Sequence, residues 1–119
     1  MVQEFQQNIL TQGEISLMVF GGKFSHAIRK IAKPGDFRVQ DDFGGTVHHY
    51  DPEFEEIAFA EKVVGQIDPK PIYARIDVFT DNNGDPAIGE VELIEPELWF
   101  RMKDGSADLL ANAIYSFIS

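Results

Sequence analysis

The stretch IGEVELIEPELWF, residues 88–100, carries four carboxylates, and two of them, Glu90 and Glu92, stand two positions apart in a run that alternates like a β-strand. Such a pair points to one face of a strand, where the two charges repel unless water or a cation lies between them. Upstream, YARIDVF sets Arg75 and Asp77 on one face of another strand. A hairpin turn centred on Asn83-Gly84, within DNNGDP (81–86), would bring Asp77 against Glu90 and Glu92. Hard oxygen ligands of this kind suit Mg²⁺ or Mn²⁺, and Mg²⁺ usually takes one or two carboxylates with phosphate oxygens and waters. Arg38, in GDFR, and Arg75 offer fixed positive forks for phosphate or carboxylate. The Gly44-Gly45 pair lets backbone amides approach an anion closely. Plainer readings stand beside these: Glu90 and Glu92 as the solvated face of an edge strand, and the two arginines as ion-pair partners.

Other candidate chemistry is weaker. His48 and His49 are adjacent on a strand and point to opposite faces, so one zinc ion is not within reach of both. In DNNGD the glycine comes too early for a calcium loop and no Glu closes it, so a hairpin turn is expected. Ser25 and His26 are strand neighbours expected to diverge, with no oxyanion-hole motif beside them.

The elements that would position these residues are readable in order. EISLMVF (14–20) and KFSHAIRKI (23–31) flank Gly21-Gly22 as a β-hairpin. AKPGD (32–36) reads as a turn, FRVQ as a short extended piece, and FGGTVHHY (43–50) as a glycine pair leading into a strand. Between Pro52 and Ile67, Phe54, Ile57, Ala58, Ala60, Val64 and Ile67 recur at helical spacing behind an acidic first turn. IYARIDVFT (72–80) and AIGEVELI (87–94) form the second hairpin, with Val91, Leu93 and Ile94 expected to pack behind the acidic wall. A closing helix in SADLLANAIYSFIS places Leu109, Leu110, Ala113, Ile114 and Phe117 on one stripe, capped by Ser106. The expected class is α+β, a mainly antiparallel sheet with two helices.

The 119 residues have a single-domain length, and 44% apolar content supports a real core. A net charge of −10 argues against a nucleic-acid backbone or an anionic membrane as partner. The opening MVQEFQQNIL lacks the basic start and apolar core of a signal peptide, and with no cysteines a cytoplasmic setting is expected. Disulfides, thiolate zinc sites and cysteine nucleophiles are excluded.

Taken in order, GEISLMVFGGKFSHAIRKIAKPGDFRVQDDFGG, a helix, YARIDVF and GEVELIEPELWF resemble the C-terminal half of the ATP-grasp domain of prokaryotic glutathione synthetase-like ligases. The resemblance implies a carboxylate-amine or carboxylate-thiol ligase using ATP and Mg²⁺ (or Mn²⁺) on a small carboxylate substrate through an acyl phosphate. It implies Asp77, Glu90 and Glu92 as metal ligands, Glu92 departing from the commoner Asn, and Arg38 and Arg75 as catalytic arginines. It also implies that Glu4, Phe5 and Gln6 of QEFQ contact the adenine edge, and it leaves Glu95 and Glu97 outside the ligand set. An upstream subdomain and a substrate domain would complete such an enzyme, so the chain is expected to carry part of a Mg-nucleotide surface with little ligase activity alone. A non-catalytic remnant acting as an interaction or self-association module is the alternative, since apolar surface exposed by a missing subdomain tends to be covered by another copy.

Overall fold

In the computed structural model, residues 13–31 and 45–118 are described. The expected Glu4, Phe5, Gln6, Arg38 and Gly44, with the AKPGD turn and the FRVQ piece, lie outside them. The two apolar runs at the start form strands β1 (Glu14–Phe20) and β2 (Lys23–Ile31). Gly21 and Gly22, at φ 61° and 83°, make the tight turn between them, a conformation in which both central residues need positive φ. β3 (Thr46–Tyr50) leads into helix α1 (Phe54–Gly65). The Glu56 carboxylate accepts the Glu53 backbone N–H at 2.8 Å and the Tyr50 hydroxyl at 2.7 Å, which fixes the helix start against the end of β3. β4 (Tyr73–Thr80) and β5 (Pro86–Glu92) form the second hairpin, and helix α2 (Ser106–Ile118) follows a single 3₁₀ turn at Phe100–Met102.

The strands make one antiparallel sheet in the order β3-β2-β1-β4-β5. Alternation gives it two unlike faces. One carries Leu17, Val19, Ala27, Ala74, Ile76 and Val78, buried under Ala60 and Val64 of α1. The other is divided along its length. At one end Met18, Phe20 and Ile28 pack beneath Leu98 and Trp99, with Leu110 and Ala113 of α2 alongside. At the other end the same face turns polar, with Ser16, Lys30, Arg75 and Asp77 all buried.

Three expectations change in detail. Leu93 packs on the core below α1, but Val91 is exposed on the edge strand and Ile94, beyond the end of β5, is 80% exposed. Ser106 begins α2 without serving as an acceptor cap. Its buried hydroxyl donates to the carbonyls of Lys103 at 2.8 Å and Phe100 at 3.1 Å, tying the helix to the 3₁₀ turn. The α2 stripe is also only partly buried, because Leu110 and Ala113 face the sheet while Leu109, Ile114 and Phe117 stay exposed.

Candidate functional site

The polar end of the second face is built by strand register. β4 and β5 start pairing as Thr80↔Pro86, Phe79↔Ala87 and Val78↔Ile88, and the register then shifts so that Asp77 faces Glu90 and Arg75 faces Glu92. Gly89 is the residue in excess. A bulge of one residue sends every later side chain to the opposite face. Without it Glu90 and Glu92 would oppose Ile76 and Ala74 on the side of the α1 core; with it they share a face with Arg75 and Asp77. A Cβ on Gly89 would come within 2.7 Å of Glu14 Oε2, so the absence of a side chain there gives that carboxylate room.

Arg75 is the centre of the cluster. Its Nε and Nη2 donate to the two oxygens of Asp77 at 3.0 and 2.9 Å, and Nη2 reaches Glu92 at 2.8 Å and Glu90 at 3.7 Å. Nη1 donates to the Glu97 carbonyl at 3.4 Å. Burial opposes the guanidinium charge, but Asp77, Glu92 and Glu90 outweigh it and hold the Arg75 pKa above its already high ordinary value. Asp77, 1% exposed, also accepts the Ser16 hydroxyl at 2.6 Å and lies 3.5 Å from Lys30 Nζ. Lys30 pairs in turn with Glu14 at 2.9 Å. Burial raises the Glu14 pKa, and Lys30 offsets part of that rise.

Trp99 closes this network from the apolar end. Its ring lies 5.4 Å from Arg75 Cζ and 5.7 Å from Lys30 Nζ, within cation–π range of both. Its backbone is left-handed at φ 47°, and its buried Nε1 has no hydrogen-bond partner among the described residues. The loop carrying it is held by His26, whose Nε2 donates to the Leu98 carbonyl at 2.8 Å while Nδ1 accepts the Ser25 hydroxyl at 2.8 Å. Ser25 and His26 therefore meet where divergence was expected. The β1–β2 register shifts between Val19↔Phe24 and Met18↔His26, leaving Ser25 as the extra residue and breaking the alternation. With both nitrogens engaged, the imidazole is a structural clamp rather than a free base.

Of the expected site residues, Arg75, Asp77, Glu90 and Glu92 come together. Gly45 does not join them: it precedes β3 at one edge of the sheet, with β2, β1 and β4 between it and the acidic strand β5 at the other edge. His48 and His49 lie on opposite faces, opposite Arg29 and Ile28. Glu14, Ser16, Lys30 and Trp99 complete the cluster, and of these Glu14, Ser16 and Lys30 did not stand out in the sequence. The signal available was the opposite charge of Glu14 and Lys30 on the two strands of the first hairpin, where they pair directly across it.

Four carboxylates, Glu14, Asp77, Glu90 and Glu92, face two cations, Lys30 and Arg75, an excess of two negative charges. That excess lies at the solvent side, where the Glu90 and Glu92 side chains are 56% and 31% exposed. Carboxylate oxygens are hard donors of the type that Mg²⁺ takes together with phosphate and water, and one oxygen of each of these two faces Arg75, at 3.7 and 2.8 Å. Asp77 is differently placed, since its oxygens are occupied by Ser16, Arg75 and Lys30. Among the described residues no group of three or more His, Asp or Glu converges as a metal cage, because Arg75 stands between the carboxylates.

No protein-family model matches the sequence, and no curated relative matches it. Solved structures do. The chain superposes on D-cycloserine synthetase DcsG with a TM-score of 0.83 at 24% identity, over 98% of its own length and 42% of that chain. It superposes on the ATP-grasp ligase PsnB complexed with its minimal precursor with a TM-score of 0.64 at 12% identity, over 91% of its length and 36% of that chain. A PsnB structure with a phosphomimetic variant of that precursor, Mg and ADP gives 0.64 at 14% identity, over 89% and 33%. The chain thus spans less than half the length of each, and its fold is that of part of an ATP-grasp ligase.

Proposed function

We propose that the chain supplies the Mg-nucleotide surface of an ATP-dependent carboxylate-amine or carboxylate-thiol ligase of the glutathione synthetase-like type, and that it is inactive without the remainder of such an enzyme. The observation that carries this reading is Arg75, clamped by Asp77 and set beside the exposed Glu90 and the half-buried Glu92, in the fold of ATP-grasp ligases. In the reaction a substrate carboxylate oxygen attacks the γ-phosphorus of ATP, releasing ADP and leaving an acyl phosphate. An amine or thiol then attacks the carbonyl carbon, the bond to the phosphate oxygen breaks, and phosphate and a proton leave.

Mg²⁺, when bound, neutralises charge on the phosphate oxygens. Glu90 and Glu92 offer the protein oxygens that would hold it, and Asp77 keeps Arg75 oriented behind them. Arg75, its fork already taken up by Asp77, Glu92 and the Glu97 carbonyl, would contribute a fixed positive charge near the phosphates, set before the ligand arrives and therefore without reorganisation during reaction. Arg38 as a second catalytic arginine, and Gly44, Gly45 and the adenine-edge set Glu4, Phe5 and Gln6 as further nucleotide contacts, belong to the same proposal.

Calorimetric titration with Mg-ADP and Mg-ATP tests it, using wild type and a Glu90→Gln/Glu92→Gln variant. Mg²⁺-dependent binding that the variant loses, with its melting temperature unchanged, is the expected result. Equal binding by both would remove the acidic hairpin from the reading, and no binding by the folded wild type would remove the nucleotide surface itself.

A further inference from the structure

Helix α2 carries more apolar surface than the sheet covers. Its inner side, Leu110 and Ala113, packs with Phe20, and Asp108, Asn112 and Ser116 form a polar row at spacings of four. A separate row, Ala107, Ala111, Ile114 and Ile118, lies exposed roughly 100° round the axis from the inner side, with Tyr115 beside it. Its spacings of four, three and four are those of a helix-pairing seam. Ile118 is 73% exposed and Tyr115 69%, and a helix apolar on two sides is ordinarily buried on both.

We propose that this seam is a self-association surface, on which a second copy of the chain docks with its own α2 antiparallel about a two-fold axis. Side-chain size favours that occupant. An axis passing between Asn112 and Ala113 opposes Ala107 with Ile118 of the partner subunit, and opposes Ala111 with Ile114 of the partner subunit. One axis thus satisfies all four positions, each small residue meeting a large one, as an isologous interface requires. Parallel pairing would set alanine against alanine and isoleucine against isoleucine, leaving one end thin and the other crowded. Charge at the seam does not oppose that occupant. The chain carries −10 overall, yet the only charged residue in α2 is Asp108, off the seam, so two like-charged copies meet where repulsion is least. The spacing suits a shallow crossing of about 20°. This surface is separate from the acidic cluster and does not depend on the nucleotide reading.

Light scattering of the full chain from about 1 μM to about 1 mM, followed by chromatography, tests association. A concentration-dependent dimer is expected, with an Ile114→Glu/Ile118→Glu variant weakening it by at least about 100-fold at unchanged helix content. Because the chain has no cysteine, Ala107→Cys and Ile118→Cys chains give an independent measurement of register. Mixed under diamide, the two variants should cross-link to each other. Neither should cross-link to itself, since like positions would lie roughly 16 Å apart along the antiparallel pair, beyond disulfide reach. A chain that stays monomeric throughout, a dimer indifferent to the two glutamates, or cross-linking of like with like would overturn the proposal.

Discussion

Replacing Asp77 by alanine removes the anion against which two buried cations are set. The side chain is 1% exposed and holds Arg75 by two bonds at 2.9 and 3.0 Å, with Lys30 at 3.5 Å. Removing one partner from a buried pair leaves uncompensated charge and costs about 3–5 kcal/mol. Unfolding entropy near roughly 2.1 cal/mol/K per residue over 119 residues gives about 0.25 kcal/mol per degree, so the melting temperature should fall by roughly 12–20 °C. Glu90→Ala is the control. Its carboxylate lies 3.7 Å from Arg75 and is 56% exposed, where an ion pair contributes about 0–1 kcal/mol and the expected drop is at most about 4 °C. Urea unfolding and thermal circular dichroism on both variants read these values. A further arm replaces the pair together: Asp77→Leu/Arg75→Met should cost less than Asp77→Leu alone, because the stranded guanidinium is gone. An Asp77→Ala cost below about 1 kcal/mol, or strictly additive costs in the double variant, would refute the buried network.

Trp99→Ala removes the ring face on which Arg75 and Lys30 rest and should cost about 3–5 kcal/mol in urea unfolding. Trp99→Phe keeps a ring and sacrifices no Nε1 hydrogen bond, so it should cost much less; equal costs would argue against the ring-face contact. Burial pushes the His26 imidazole below its usual 6.5, so between that lowered value and 6.5 the unfolded chain binds more protons than the folded one. Stability should therefore fall as pH drops through 6.5, and His26→Gln should flatten the slope, measured as melting temperature at about pH 7.5 and about pH 5.5. Gly13 has φ 76°, and a Cβ there would overlap the Lys30 carbonyl. Gly13→Ala should cost at least about 2 kcal/mol by the same unfolding assay.

Where local pattern and burial agree, the sequence reads correctly. The first hairpin follows from two β-rich runs around Gly21-Gly22, and its strands have the expected bounds, Glu14–Phe20 and Lys23–Ile31. Helix α1 follows from apolar spacing and an acidic first turn, running Phe54–Gly65 inside the expected 52–67. Ile94 and the α2 stripe departed from expectation for one reason: apolar periodicity shows which residues could share a face, and only the packed neighbours determine whether that face is covered. Ser25 and His26 met because a bulge altered their directions, a feature that periodicity does not encode.

The acidic site separates the two levels of information most clearly. Residue type and spacing by themselves put Glu90 with Glu92 on one strand face and Arg75 with Asp77 on another, and a turn centred on Asn83-Gly84 would have joined them. In the folded chain the turn begins one residue out of that register, with Thr80 opposite Pro86, and the Gly89 bulge restores it at Asp77 and Glu90. Strand alternation is local, so the sequence determines which side chains travel together. Register is a matter of pairing between strands, so the tertiary structure alone decided that both acids meet Arg75, that Lys30 and Trp99 join it from distant segments, and that Asp77 is buried behind them.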